Sequence, residues 1–122
     1  MNSLNNALQC IDIILEKKVI DPVLLDIGKI SSIADYFIIA SGRSSRQVRG
    51  IAEHLQKRMK EKGFKVLGIE GERDGFWTLL DYGEIVVHLF FQPARKLYDL
   101  EGLWSEASRV NINEKIPKEE TQ

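Results

Sequence analysis

Few side chains in this sequence could act as nucleophile, base or metal ligand: Cys10, His54, His88, and scattered serines and carboxylates. Cys10 stands beside Ile11 in an apolar stretch and reads as a small packed hydrophobe, the usual state of a free thiol. His54 falls on the polar side of a basic helix and reads as solvated. His88 lies between Val87 and Leu89 in EIVVHLFF. In alternation it shares a face with Val86 and Phe90, opposite Ile85, Val87 and Leu89. A buried neutral imidazole bonded to a neighbour is the reading that this position favours. A catalytic base would also need a nucleophile and an orienting group, and the sequence supplies neither. SGRSSRQ follows a strand and opens a helix, so its backbone N–H groups could hold an anion. It matches neither the phosphate-loop pattern nor the dinucleotide fingerprint. Magnesium-dependent nucleotide transfer remains the alternative enzyme reading, with a site at Ser41–Arg46 and Glu70–Asp74. That chemistry wants a close carboxylate pair on a strand. The chain has no D-x-D, and the nearest substitutes, Glu70, Glu72 and Asp74, fall in an expected loop. No metal, cofactor or catalytic residue is assigned.

Charge and aromatic surface carry more information. Arg43, Arg46 and Arg49 recur three apart and line one side of a helix's first turns. Cations there oppose the helix dipole, so an acidic partner or an RNA phosphate would offset them; a solvated face is the plainer reading. FQPARKLYDLEGLW, from Phe91 to Trp104, interleaves Leu97, Tyr98, Leu100, Leu103 and Trp104 with Arg95, Lys96, Asp99 and Glu101. In a helix, Leu100, Leu103, Trp104 and Ala107 share a stripe that could close the core. A stripe that narrow cannot hide every ring, and Phe76 and Trp77 pose the same problem nearby. Tyrosine and tryptophan dominate protein–protein hot spots. Glu70, Glu72, Asp74 and Glu101 would then form an acidic rim that attracts a basic protein and rejects nucleic acid.

The elements that must position these groups follow from periodicity. Leu4, Leu8, Ile11 and Leu15 predict a helix from about Ser3 to Lys18, ended by Asp21-Pro22. Strands are expected at Val23–Ile27 and in ADYFIIASG. Ser44 with Gln47 makes a capping box for a helix ending at Gly63, its apolar stripe being Val48, Ile51, Leu55 and Met59. FKVLGIEG is a short strand, and FWTLLDYGEIVVHLFF a hairpin turning at Tyr82-Gly83. A helix starts at Pro93, and Asp99 caps a second piece from Leu100 to about Val110. The order α-β-β-α-β-β-β-α predicts an α/β (α+β-like) fold: one mixed five-stranded sheet with helices packed on it. The strand-helix-strand unit around Ser44–Lys62 should leave its two strands parallel. One domain is expected over 1–110, with 111–122 a flexible tail.

Composition agrees. The chain has 122 residues, 43% hydrophobic and 29% charged, with net charge −1. That is ordinary globular material and not the basic balance of a protein that grips nucleic acid chiefly through phosphates. The charge is uneven: seven basic and two acidic side chains from Arg43 to Lys62, against one and five from Ile69 to Glu84. A single cysteine excludes an internal disulfide and suits a reducing, cytoplasmic setting. The N-terminus does not read as a secretory signal, and no apolar run is long enough to span a membrane.

DYFIIASGRSSRQVRGIAEHL, followed by GIEGERDGFWTLLDYGEIVVHLFFQPARKLYDLEGLW, resembles the ribosomal silencing factor family, also called Iojap-like proteins. The likeness runs from about Leu4 to Val110. It implies a nucleotidyltransferase-like fold without the catalytic carboxylates, and a non-enzymatic role. It implies binding to the large ribosomal subunit through its universal protein fourteen, where the small subunit would dock. Blocked subunit joining would then repress translation when nutrients are scarce, with a further role in large-subunit maturation and a homodimer when free. Carried onto this chain, the contact surface comprises Trp77, Tyr98, Asp99 and Leu100, with Arg95, Lys96 and Trp104 beside them. Arg43, Arg46 and Arg49 would be the place for a minor ribosomal RNA contact.

Overall fold

The computed structural model describes residues 2–116. Helix α1 (Ser3–Leu15) starts at Asn2, whose side chain accepts from the N–H groups of Leu4 and Asn5. It ends before Lys18, so Asp21-Pro22 does not terminate it; that pair lies inside β1 (Ile20–Asp26), where the register slips between Ile20 and Val23. Strand β2 (Tyr36–Gly42) leads to α2 (Ser45–Glu61). Ser44 caps α2 by accepting from the Gln47 N–H at 3.0 Å. The Gln47 side chain closes the other half one residue early, accepting from Arg43 N–H rather than from Ser44. Strands β3 (Gly68–Glu70), β4 (Trp77–Asp81) and β5 (Ile85–Phe91) precede α3 (Gln92–Tyr98), α4 (Leu100–Leu103) and β6 (Ser108–Val110).

The sheet has six strands, not the five expected, in the order β3-β4-β5-β2-β1-β6. The extra one is β6, in a segment expected to continue the last helix. It pairs antiparallel with β1 at Leu24, Leu25 and Asp26. The central pair β2–β5 is parallel, and all other neighbours are antiparallel. β2 and β3 run in the same direction, as the helical crossover predicts, but β5 and β4 lie between them.

Alternation divides the strands between two cores. Leu24, Ile38, Ala40, Leu80, Val87 and Leu89 face α1 and α2, where Ile11, Ile14, Val48, Ile51, Leu55 and Met59 meet them. Cys10 is buried there as expected, and burial pushes its thiol up to about 12. The opposite face carries Leu25, Phe37, Ile39, Val86 and Phe90, covered more thinly by Ala34, Leu100 of α4, the partly buried Ala94, Trp104 and Ala107, and the Tyr98 ring. Residues 111–116, expected as a free tail, return to the first core: Ile112 is buried, and Lys115 pairs with Asp12 at 2.9 Å. The rest of the expected tail lies outside the described residues.

Candidate docking surface

The thinly covered face builds the site. Trp77 opens β4 directly opposite Phe90 of β5, and their rings stack with centroids 5.0 Å apart. The Tyr98 ring is tilted beside this pair, 4.9 Å from Trp77 and 6.4 Å from Phe90. Beneath it, the Trp77 indole Nε1–H donates to His88 Nδ1 at 3.1 Å. Gly71 permits the approach to β4. Its φ is +74°, and a Cβ there would collide with the Trp77 carbonyl. Phe37 meets the His88 ring edge-on at 4.6 Å and Trp104 at 5.3 Å.

The helices α3 and α4 expose large apolar side chains. Leu97 is 80% exposed, Leu103 77% and Tyr98 54%. Leu103 was expected on the closing stripe; it faces out because α4 lasts a single turn. Leu97 and Leu103 are the surface residues that sequence reasoning left out of the contact set. Their signal was the number of large apolar side chains in FQPARKLYDLEGLW, more than one stripe can bury.

The other expected contact residues divide. Lys96 is exposed and Trp104 half-buried. Leu100 is buried in the second core, so it supports the surface from below rather than forming it. Arg95 is turned inward. Its guanidinium makes a two-point pair with Glu101 at 2.9 and 3.1 Å, and donates to Ser41 Oγ at 3.0 Å and the Ile20 carbonyl at 3.3 Å. The Arg95 hydrogen bonds hold the Glu101 carboxyl below its usual range. Both therefore fasten α3 and α4 to the sheet, and Glu101 is not a free member of an acidic rim.

Asp99 is a corner. It adopts the left-handed conformation (φ 47°, ψ 52°), ends α3, and caps α4 by accepting from Gly102 N–H at 3.2 Å. A Cβ at position 102 would collide with the Asp99 carboxylate. Gly102 is what lets this cap close, rather than a weakness in the helix. Asp99 and Glu101 form the chain's D-x-E, and each carboxylate has these local partners.

The remaining carboxylates disperse. Glu70 pairs across β3–β4 with Leu79, on the aromatic face. Glu72 accepts from Gln56 on α2 at 3.0 Å, and Asp74 is exposed in the loop. Among the described residues no three His, Cys, Asp or Glu side chains gather to hold a metal. Ser41, expected at an anion site, is buried and bonded to Arg95. Arg43 and Arg46 are exposed, while Arg49 leans on the Arg73 carbonyl at 3.5 Å. His54 is not simply solvated: its Nε2 lies 2.7 Å from Glu16, which also accepts from Arg58.

Comparison with known proteins adds four findings. The family model described as "Ribosomal silencing factor during starvation" matches residues 1–122. The chain is 40% identical over 97 residues to the ribosomal silencing factor of Halalkalibacterium halodurans, covering 80% of this chain and 83% of that one. It is 38% identical over 98 residues to the Bacillus subtilis ribosomal silencing factor, with 80% and 83% covered. A crystal structure of a Chromobacterium violaceum protein superimposes with a TM-score of 0.83 at 35% identity, over 86% of this chain and 88% of that one.

Proposed function

The chain belongs to the ribosomal silencing factor family, and we propose that it docks on the large ribosomal subunit, against universal protein fourteen, and excludes the small subunit by occupying its place. We read the frame as a nucleotidyltransferase-like fold whose sheet face serves docking instead of catalysis. The observation that supports this most is the cluster of Trp77, Phe90 and Tyr98 on a face that α1 and α2 leave uncovered, together with exposed Leu97 and Leu103 on α3 and α4. Aromatic anchors at the centre of a patch supply most of the affinity in typical interfaces, and roughly 1,600 Å² of total buried surface suffices for a specific complex. Exclusion of this kind makes and breaks no covalent bond.

The protein acts in the cytoplasm, lowering translation when nutrients are scarce, and takes part in large-subunit maturation. Free in solution it is a homodimer. Arg43 and Arg46 make a minor contact to ribosomal RNA. The deciding experiment is sucrose-gradient cosedimentation with separated subunits, followed by a reassociation assay. The protein should travel with large subunits alone, and inhibition should be stoichiometric and competitive with small subunits. Normal subunit pairing at saturating protein would defeat the reading.

A further inference from the structure

Position 88 is an expensive place for a histidine. It sits mid-strand in β5, paired to Leu79 of β4 on one side and Ile39 of β2 on the other. The side chain is 3% exposed among apolar neighbours, where an aliphatic residue would pack without desolvating a polar ring. Its Nδ1 accepts from the Trp77 indole, which places the proton on Nε2. Among the described residues that buried N–H has no hydrogen-bond partner. A buried polar group only half satisfied is a local rule broken without gain to the core, and such breaches mark functional positions.

What the imidazole provides is a fixed acceptor beneath a surface indole. A half-exposed tryptophan can direct its N–H to water in several rotamers. Here the N–H is turned inward and held, with Phe90 stacked against the ring and Tyr98 tilted against both. We infer that His88 is a positioning residue for docking: by accepting the Trp77 indole N–H it sets the rotamer of Trp77, and thereby the platform on which Tyr98 is presented. This rests on the docking reading above. An anchor already ordered before contact loses less freedom on binding, so the gain is in affinity rather than in the stability of the fold.

The test compares His88→Leu, which removes the acceptor, with His88→Asn, whose Oδ1 can take the place of Nδ1. Binding to isolated large subunits is measured alongside the two indole N–H resonances of the full chain, assigned with Trp77→Phe. Loss of one hydrogen bond's worth of ordering should weaken binding about 5-fold in His88→Leu. The Trp77 indole proton should lose its protection from exchange, and His88→Asn should restore both. The inference is overturned if His88→Leu binds like the parent, if its Trp77 N–H stays protected, or if His88→Asn shows the same losses as His88→Leu. Trp77→Ala, run in parallel, separates the premises. If it too binds like the parent, the docking reading falls and this inference with it. If it binds weakly while His88→Leu binds normally, only the role of His88 falls.

Discussion

A neutral imidazole in the sheet leaves a thermodynamic trace. Burial pushes His88 down from 6.5 to about 4, so on acidification the unfolded chain takes up a proton before the native one does. Native stability from this group is therefore complete above pH 6.5, falls as the pH drops toward 4, and changes no further below that. The full gap is worth about 3 kcal/mol. Urea unfolding at pH 7 and pH 5 should show the parent losing about 2 kcal/mol more than His88→Leu over that step. Glu16, held low by hydrogen bonds from His54 and Arg58, and Glu101, held low by Arg95, start from 4.5. Their stabilisation is present above that value and is lost as the pH falls below it, so the pH 5 measurement leaves them out. The same scale separates surface from support. Trp77→Ala and Tyr98→Ala should each weaken large-subunit binding by about 2 kcal/mol or more with a native melt. Leu100→Ala, two residues beyond Tyr98 across the Asp99 corner but buried, should instead cost about 2–5 kcal/mol of stability.

Between α3 and α4 the chain turns on a single left-handed residue, and this corner decides which leucines face solvent. Glycine to alanine inside a helix ordinarily stabilises by up to about 1 kcal/mol. At Gly102 the sign should reverse, because the added Cβ meets the carboxylate of Asp99 that caps α4. Thermal unfolding of Gly102→Ala should show a loss of about 1–2 kcal/mol, the value of an N-cap; a gain would mean that the corner is not built this way. The periodic elements α1, α2, β2 and the β4–β5 hairpin were legible because each writes its pattern within its own residues. The corner and β6 were not. Asp99 reads as an ordinary helix cap until Gly102 is seen against it. Ser108–Val110 carries no strand pattern in three residues; it is a strand because β1 offers Leu24–Asp26 as partners. Ile112 gave as little local signal, being buried by a chain return that only the assembled sheet defines.

For the whole molecule, two unlike surfaces follow from how the sheet is covered. The aromatic cluster was half legible: Trp77, Tyr98 and Trp104 could be picked by type, but Arg95 and Glu101 look like surface charges in sequence and become a structural clamp only when β2 brings Ser41 beneath them. At the far layer, Gln47 gathers a basic end. Its side-chain amide donates to the carbonyls of Lys17 and Lys18 at 3.3 and 3.4 Å, bringing that turn beside exposed Arg43 and Arg46. Among the described residues none of these four cations lies within 4.0 Å of a carboxylate. The two surfaces should answer differently to salt. Burial of aromatic area is nearly independent of ionic strength, whereas each phosphate contact adds close to one unit to the slope of log K against log salt. Arg43→Glu with Arg46→Glu should therefore flatten the salt dependence of large-subunit binding by about 2. Tyr98→Ala should lower affinity by the same factor at every salt concentration. An unchanged slope in the double variant would remove the RNA contact and leave the aromatic face to carry docking alone.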